Sequence, residues 1–160
     1  MKICVFGAGA IGGYLGVQLA LAGQEVSLIA RGPHLAAMKE SGLTLRIEGE
    51  ERVARPLCTD DPAEAGGQDF VVIGLKAHSV PGVVGAMQPL LGPETAIVSA
   101  VNGVPWWYFH KLDGPHEGAR LASVDPGDVQ WDGLRPERMI GCVVYPACEV
   151  VEPGVIEHID

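Results

Sequence analysis

Apolar positions along the chain fall into two alternating rhythms. Residues 2–6 (KICVF) form a short, β-branched run suited to a strand covered on both faces. Behind it, Ile11, Leu15 and Leu19 recur at i, i+4 and i+8, which predicts one face of a helix that Gly23 closes. Residues 25–30 (EVSLIA) read as a second strand, and Pro33 sits in the first turn of a helix that ends before Gly42. Residues 43–47 alternate as LTLRI, and residues 52–57 follow an acidic EGEE turn, so a hairpin is expected over 43–57. Asp61 followed by Pro62 predicts the capped start of a short helix. Residues 69–75 (DFVVIGL) make the strongest buried-strand run, followed by a helix over 79–91, limited at its start by Pro81, and a strand over 94–101. Residues 139–145 and 155–159 are again strand-like. The stretch 103–138 has no long periodic run and holds Trp106, Trp107 and Trp131, which predicts an irregular insertion whose tryptophans pack it onto the sheet.

Strand, glycine-rich turn, helix, strand, helix is the rhythm of a parallel sheet with helices on both faces. The fold class expected is α/β, a Rossmann-type doubly wound, mostly parallel sheet. The 160 residues are one domain's worth, 1–160. With 48% apolar and 19% charged residues, disorder as the main state is excluded. A net charge of −9 opposes nonspecific binding to a phosphate polymer, so no nucleic acid partner is expected, although one site can be locally positive. No apolar run approaches the ~18–20 residues a membrane span needs. The apolar stretch 8–23 is too dense in glycine, with only Lys2 basic ahead of it, to serve as a signal peptide. A cytoplasmic chain with no membrane partner is expected. Cys4, Cys58, Cys142 and Cys148 form no CxxC pair and read as reduced thiols. The histidines, His34, His78, His110, His116 and His158, have no metal-ligand spacing, so no metal is expected.

Gly7-Ala8-Gly9-Ala10-Ile11-Gly12 fits G-x-G-x-x-G in the required context, between a strand and a helix, with a second strand ending about 20 residues on. Gly7 allows the tight turn, Gly9 lets a pyrophosphate approach the backbone, and Gly12 lets the helix lie close to the first strand. The helix start then offers free N–H groups to phosphate. The second strand ends Ile29-Ala30-Arg31-Gly32, without the acid that would hold a ribose 2′-hydroxyl. A guanidinium suits a 2′-phosphate, so Arg31 argues for NADP(H). Lys76 follows the 69–75 strand and Asn102 follows the 94–101 strand, both at carboxyl ends where doubly wound sheets bind ligands. Lys76 can reach phosphate, ribose or a substrate carboxylate, and Asn102 can both donate to and accept from a ribose, carboxamide or keto acid.

Together GAGAIGG at 7–13, IARG at 29–32, GLKAHSV at 74–80 and VNGVP at 101–105 resemble the N-terminal NADPH-binding domain of the ketopantoate reductase (2-dehydropantoate 2-reductase) family. The run GCVVYPACEVVEPGVIEHI at 141–159 is similar to the strand–turn–strand segment that closes that domain. The resemblance implies cofactor contacts at Gly7, Ala8, Gly9, Ala10, Ile11, Gly12, Arg31, Lys76, Asn102 and Ala147, with Lys76 and Asn102 also facing the substrate. It implies NADPH-dependent reduction of 2-dehydropantoate to pantoate, in pantothenate and coenzyme A synthesis. The insertion 103–138 departs from the family's short helical connection. The family's proteins are about twice this length, and their helical second domain carries the general-acid lysine. The chain is therefore expected to be the cofactor-binding portion of a longer enzyme, with no catalytic residue of its own and little or no turnover alone. Two alternatives stand beside this: reduction of another 2-keto acid, and a non-catalytic NADP-binding module or subunit. An apolar face left by a missing domain would favour a homodimer.

Overall fold

In the computed structural model, residues 1–159 are described. The chain runs β1 (Lys2–Phe6), α1 (Ala10–Leu21), β2 (Glu25–Ile29), α2 (Gly32–Ser41), β3 (Leu43–Ile47), β4 (Glu50–Ala54), β5 (Leu57–Thr59) and α3 (Pro62–Ala65). It continues β6 (Gln68–Ile73), α4 (Val84–Met87), β7 (Leu91–Ser99), α5 (Val129–Leu134), β8 (Met139–Gly141), β9 (Cys148–Glu152) and β10 (Val155–His158). Six strands form one parallel sheet in the order β5-β2-β1-β6-β7-β8. The chain leaves β1 toward one edge and returns to its other side at β6, so the strand order reverses between these two. Such a reversal is where a doubly wound sheet opens a crevice at its carboxyl ends.

The central strands of this sheet are covered on both faces. Ile3 and Val5 of β1 point into one apolar cluster with Val17, Leu28, Leu43, Leu45 and Ile156. Cys4 and Phe6, displaced by one residue, point into a second with Ile73, Met87, Leu90, Trp106 and Leu134. The first cluster is closed by a second, four-stranded sheet in the order β4-β3-β10-β9. Its central pair, β3 and β10, is parallel, and each has an antiparallel neighbour.

Helix α1 lies between the two sheets. A Cβ at Gly16 would sit 2.5 Å from Leu28 on one side, and a Cβ at Gly13 would sit 2.8 Å from Ile156 on the other. The buried face is therefore Gly12, Gly13, Gly16 and Val17. The apolar row expected to face the core, Ile11, Leu15 and Leu19, is only partly buried. A helix wedged between sheets meets them most closely where it has no side chains. Its end is the one expected: Gly23, at φ +80°, donates to Ala20 and Gln24 donates to Leu19.

Five further features differ from the pattern reading. The hairpin closes earlier, at Ala54, across Glu48 and Gly49, which both adopt positive φ. Leu57 instead begins β5 and pairs with Ser27 in the main sheet, beyond the break at Pro56. The single helix over 79–91 is a series of short turns, with only Val84–Met87 α-helical. Pro81 and Pro89 lack the N–H groups that a continuous helix needs. The 103–138 stretch contains α5, and Trp106 is buried against the second cluster. The strand expected over 139–145 stops at Gly141. No helix is long and apolar enough to cross a membrane among the described residues.

Candidate functional site

The glycine turn between β1 and α1 lies at the sheet's reversal point. Gly7, at φ +99°, takes a conformation side chains disfavour, and a Cβ there would strike Leu75 at 2.4 Å. A Cβ at Gly12 would fall 2.0 Å from the Gly7 carbonyl oxygen. These two glycines are demanded by the protein itself. Gly9 is different: a Cβ there would meet no protein atom within 4 Å. Its bare backbone faces open space, as expected of a cradle for a ligand that must approach closely.

The amides of Gly7 and Ala8 both donate to the Ile29 carbonyl, at 3.1 and 2.9 Å, which ties the turn to β2. The next four amides, from Gly9 to Gly12, have no protein acceptor among the described residues. They are the unsatisfied donors of a helix start, at the positive end of the helix dipole. Neither an acidic side chain in the first turn nor a side-chain cap occupies this end.

Two grooves flank the turn. One, of about 590 Å³, runs over the ends of β1 and β2 and is lined by Gly7, Gly9, Arg31, His34, Asp60 and Val83, among others. The other, of about 500 Å³, runs over the ends of β6 and β7 and includes Gly9, Ile11, Lys76, Asn102 and Val144 in its wall. They share Gly9, Leu75 and Ser79, so they form one trough divided at the glycine turn. Arg31 and Lys76 are exposed in it, and neither has a carboxylate within 4.0 Å among the described residues. In a chain of net charge −9, these are two uncompensated cations along one trough.

Nine of the ten residues expected in the site belong to the turn or to this trough: Gly7 through Gly12, Arg31, Lys76 and Asn102. Ala147 does not line either groove. It is exposed, and its carbonyl accepts from the Ile159 amide at 2.7 Å, within the four-stranded sheet's approach. Its neighbours Val144 and Val150 reach the trough instead. Asn102 is held by the Val144 backbone, donating to its carbonyl and accepting from its amide, both at 3.0 Å.

The trough residues that the pattern reading missed include Ser79 and His34. Ser79 lies three residues beyond Lys76, one tight 3₁₀ turn away, and that spacing brings it to the same side. His34 lies three residues beyond Arg31 in the first turn of α2. The cysteines contribute no nucleophile to the trough. Burial pushes the Cys4 thiol up to about 12 and raises those of Cys58 and Cys148.

The fold and this site define a Rossmann-type domain with a glycine turn at its switch point. The chain belongs to the ketopantoate reductase PanE/ApbA family, whose model matches residues 3–109, and the family is one of NAD(P)H-dependent oxidoreductases. A 2-dehydropantoate 2-reductase of Mesorhizobium japonicum is 52% identical over the whole chain. One from Pyrococcus horikoshii is 30% identical over 91% of it. A solved structure from Ralstonia solanacearum MolK2, assigned as a ketopantoate reductase, is 42% identical and superposes with a TM-score of 0.92 over 99% of the chain. The chain spans about half the length of these relatives, 49%, 48% and 49% respectively.

Proposed function

We propose that this chain is the NADPH-holding part of a reductase that converts 2-dehydropantoate to pantoate, a step toward pantothenate and coenzyme A. Arg31, the free amides at 9–12, Lys76 and Asn102 share one trough in that order, and this alignment supports the reading. The open space at Gly9, the four unpaired amides and the two free cations suit a dinucleotide with a 2′-phosphate.

The amides at the start of α1 bind the pyrophosphate, and the Arg31 guanidinium pairs with the 2′-phosphate. Lys76 and Asn102, at the far end, hold the carboxylate and ketone oxygen of the keto acid. A nicotinamide cofactor held by these residues would supply a hydride for the ketone carbon. The ketone oxygen, held beside Asn102 as negative charge develops on it, then takes a proton from a general acid. That acid is assigned to the part of the relatives this chain does not span.

Calorimetric titration of the chain with NADPH and NADH, with Arg31→Ala alongside, tests the cofactor reading. NADPH is expected to bind more tightly, and Arg31→Ala to weaken it by ~10–100-fold, the worth of a charge-assisted contact, while leaving NADH unchanged. Equal affinities in the unaltered chain would overturn the NADP preference. Absence of binding by either nucleotide would overturn the reading for this chain.

A second substrate reading draws on the wall beside Asn102. Val104, Pro105 and Trp107 line a pocket of about 40 Å³ there, together with Ser99 and Gln130. This wall supports a 2-keto acid with an apolar substituent. Titrating the NADP⁺-loaded chain with 2-dehydropantoate and with an aryl 2-keto acid decides between them, the tighter ligand marking the substrate class.

A further inference from the structure

His34 makes two hydrogen bonds, both to backbone, that join segments far apart in sequence. Its Nδ1 lies 3.0 Å from the Gly154 nitrogen, which has a proton to donate, so Nδ1 is the acceptor. Its Nε2 lies 2.9 Å from the Ala8 carbonyl oxygen, so Nε2 carries the proton and donates. The ring is thereby fixed as a neutral imidazole with one tautomer.

Each partner is itself anchored. Gly154, in the β9–β10 turn at φ +82°, accepts from the Thr44 amide at 2.9 Å, and its Cα packs so close to α2 that a Cβ would lie 3.0 Å from Ala37. Gly154 is therefore a fixed post for the ring to lean on. Ala8 donates its amide to Ile29, and His34 holds its carbonyl. In a planar trans peptide the carbonyl and the following N–H point in opposite directions. Holding the Ala8 oxygen toward His34 consequently aims the Gly9 N–H the opposite way, and Gly9 is one of the residues shared by both grooves.

We infer that His34 is a positioning residue for the phosphate-binding turn, orienting the Gly9 amide toward the pyrophosphate of a bound dinucleotide. The inference rests on the nucleotide reading given above. His34 belongs to the wall of the same groove as Arg31, but it acts through the Ala8–Gly9 peptide rather than on the 2′-phosphate.

The test compares two ligands. NADPH carries both the 2′-phosphate and the pyrophosphate, whereas adenosine 2′-monophosphate carries only the first. His34→Ala is expected to weaken NADPH about tenfold, the worth of one oriented hydrogen bond, and to leave adenosine 2′-monophosphate unchanged. His34→Gln, which can donate and accept at similar reach, is expected to recover most of the loss. Equal losses for the two ligands, no loss for NADPH, or no recovery by glutamine would each overturn the inference. In the unaltered chain, ¹⁵N spectra at pH 7.5 are expected to show His34 protonated only on Nε2. A proton on Nδ1 would overturn the inference without any variant. Failure of the unaltered chain to bind NADPH would instead count against the nucleotide reading itself.

Discussion

Asn102 and Val144 hold each other by a reciprocal pair of hydrogen bonds, each 3.0 Å long, between the Asn102 carboxamide and the Val144 backbone. The pair carries on the connection between β7 and β8 beyond Gly141, where the strand ladder has ended. Cys142 still donates to Ser99, and two residues later a side chain takes over the backbone's work. Asn102 thus shapes the wall of the groove as well as facing it.

Asn102→Asp keeps the acceptor for the Val144 amide but sets a carboxylate oxygen against the Val144 carbonyl. The expected loss of stability is about 1 kcal/mol, read as a lower midpoint in urea with an unchanged slope. Asn102→Ala is expected to lose a similar amount, since both partners are exposed enough to bond to water instead.

The glycines of the turn separate folding from binding. Gly9→Ala places its methyl in open space and is expected to leave the urea midpoint unchanged while weakening NADPH at least tenfold. Gly12→Ala drives a methyl into the Gly7 carbonyl, 2.0 Å away, and is expected to cost ~2 kcal/mol or more in stability. Wild-type NADPH affinity in Gly9→Ala would mean that no ligand approaches the backbone there.

Trp106 belongs to the core of the second cluster, in edge contact with Trp107 and Trp131 at 5.1 and 5.9 Å between ring centroids. Trp106→Ala is expected to cost ~3–5 kcal/mol. A loss below ~1 kcal/mol in thermal or urea unfolding would show that the 103–138 stretch detaches without disturbing the sheet.

Cys4 is fully buried in β1, and its thiol ionises only near about 12 in the folded chain, against an ordinary value of 9.0. Between those values the unfolded chain loses a proton that the folded chain keeps. Stability therefore falls as pH rises from 9.0 toward about 12, by up to ~1.4 kcal/mol per pH unit. Urea midpoints measured across that range should fall more steeply for the unaltered chain than for Cys4→Ala. Equal slopes would remove the thiol as the cause.

The features legible in the sequence are those that a local pattern encodes. The β1–turn–α1–β2 unit, Gly23 at the helix end, Arg31 beyond β2 and the Asp61 cap each follow from neighbours a few residues apart. Asp61 does accept from the Ala63 amide, at 2.9 Å. What escaped depends on distant partners. Leu57 joins β5 because β2 offers a free edge, and β3 pairs with β10 from the far end of the chain. His34 carried no signal of its role, since both of its partners are backbone atoms brought from other segments. The row Ile11, Leu15, Leu19 misled because periodicity marks apolar side chains, while α1 makes its closest contacts through glycine.

The parallel pairing of Thr44 with Val155 has a consequence for the timing of synthesis. A ribosome releases β3 long before it releases β10. Until β10 arrives, Leu43 and Leu45 lack a neighbour on that side, and Gly13 lacks Ile156 to press against. The Gly154 post that His34 leans on is also still unmade. A nascent chain thus translates the glycine turn long before it translates Gly154, the residue His34 leans on.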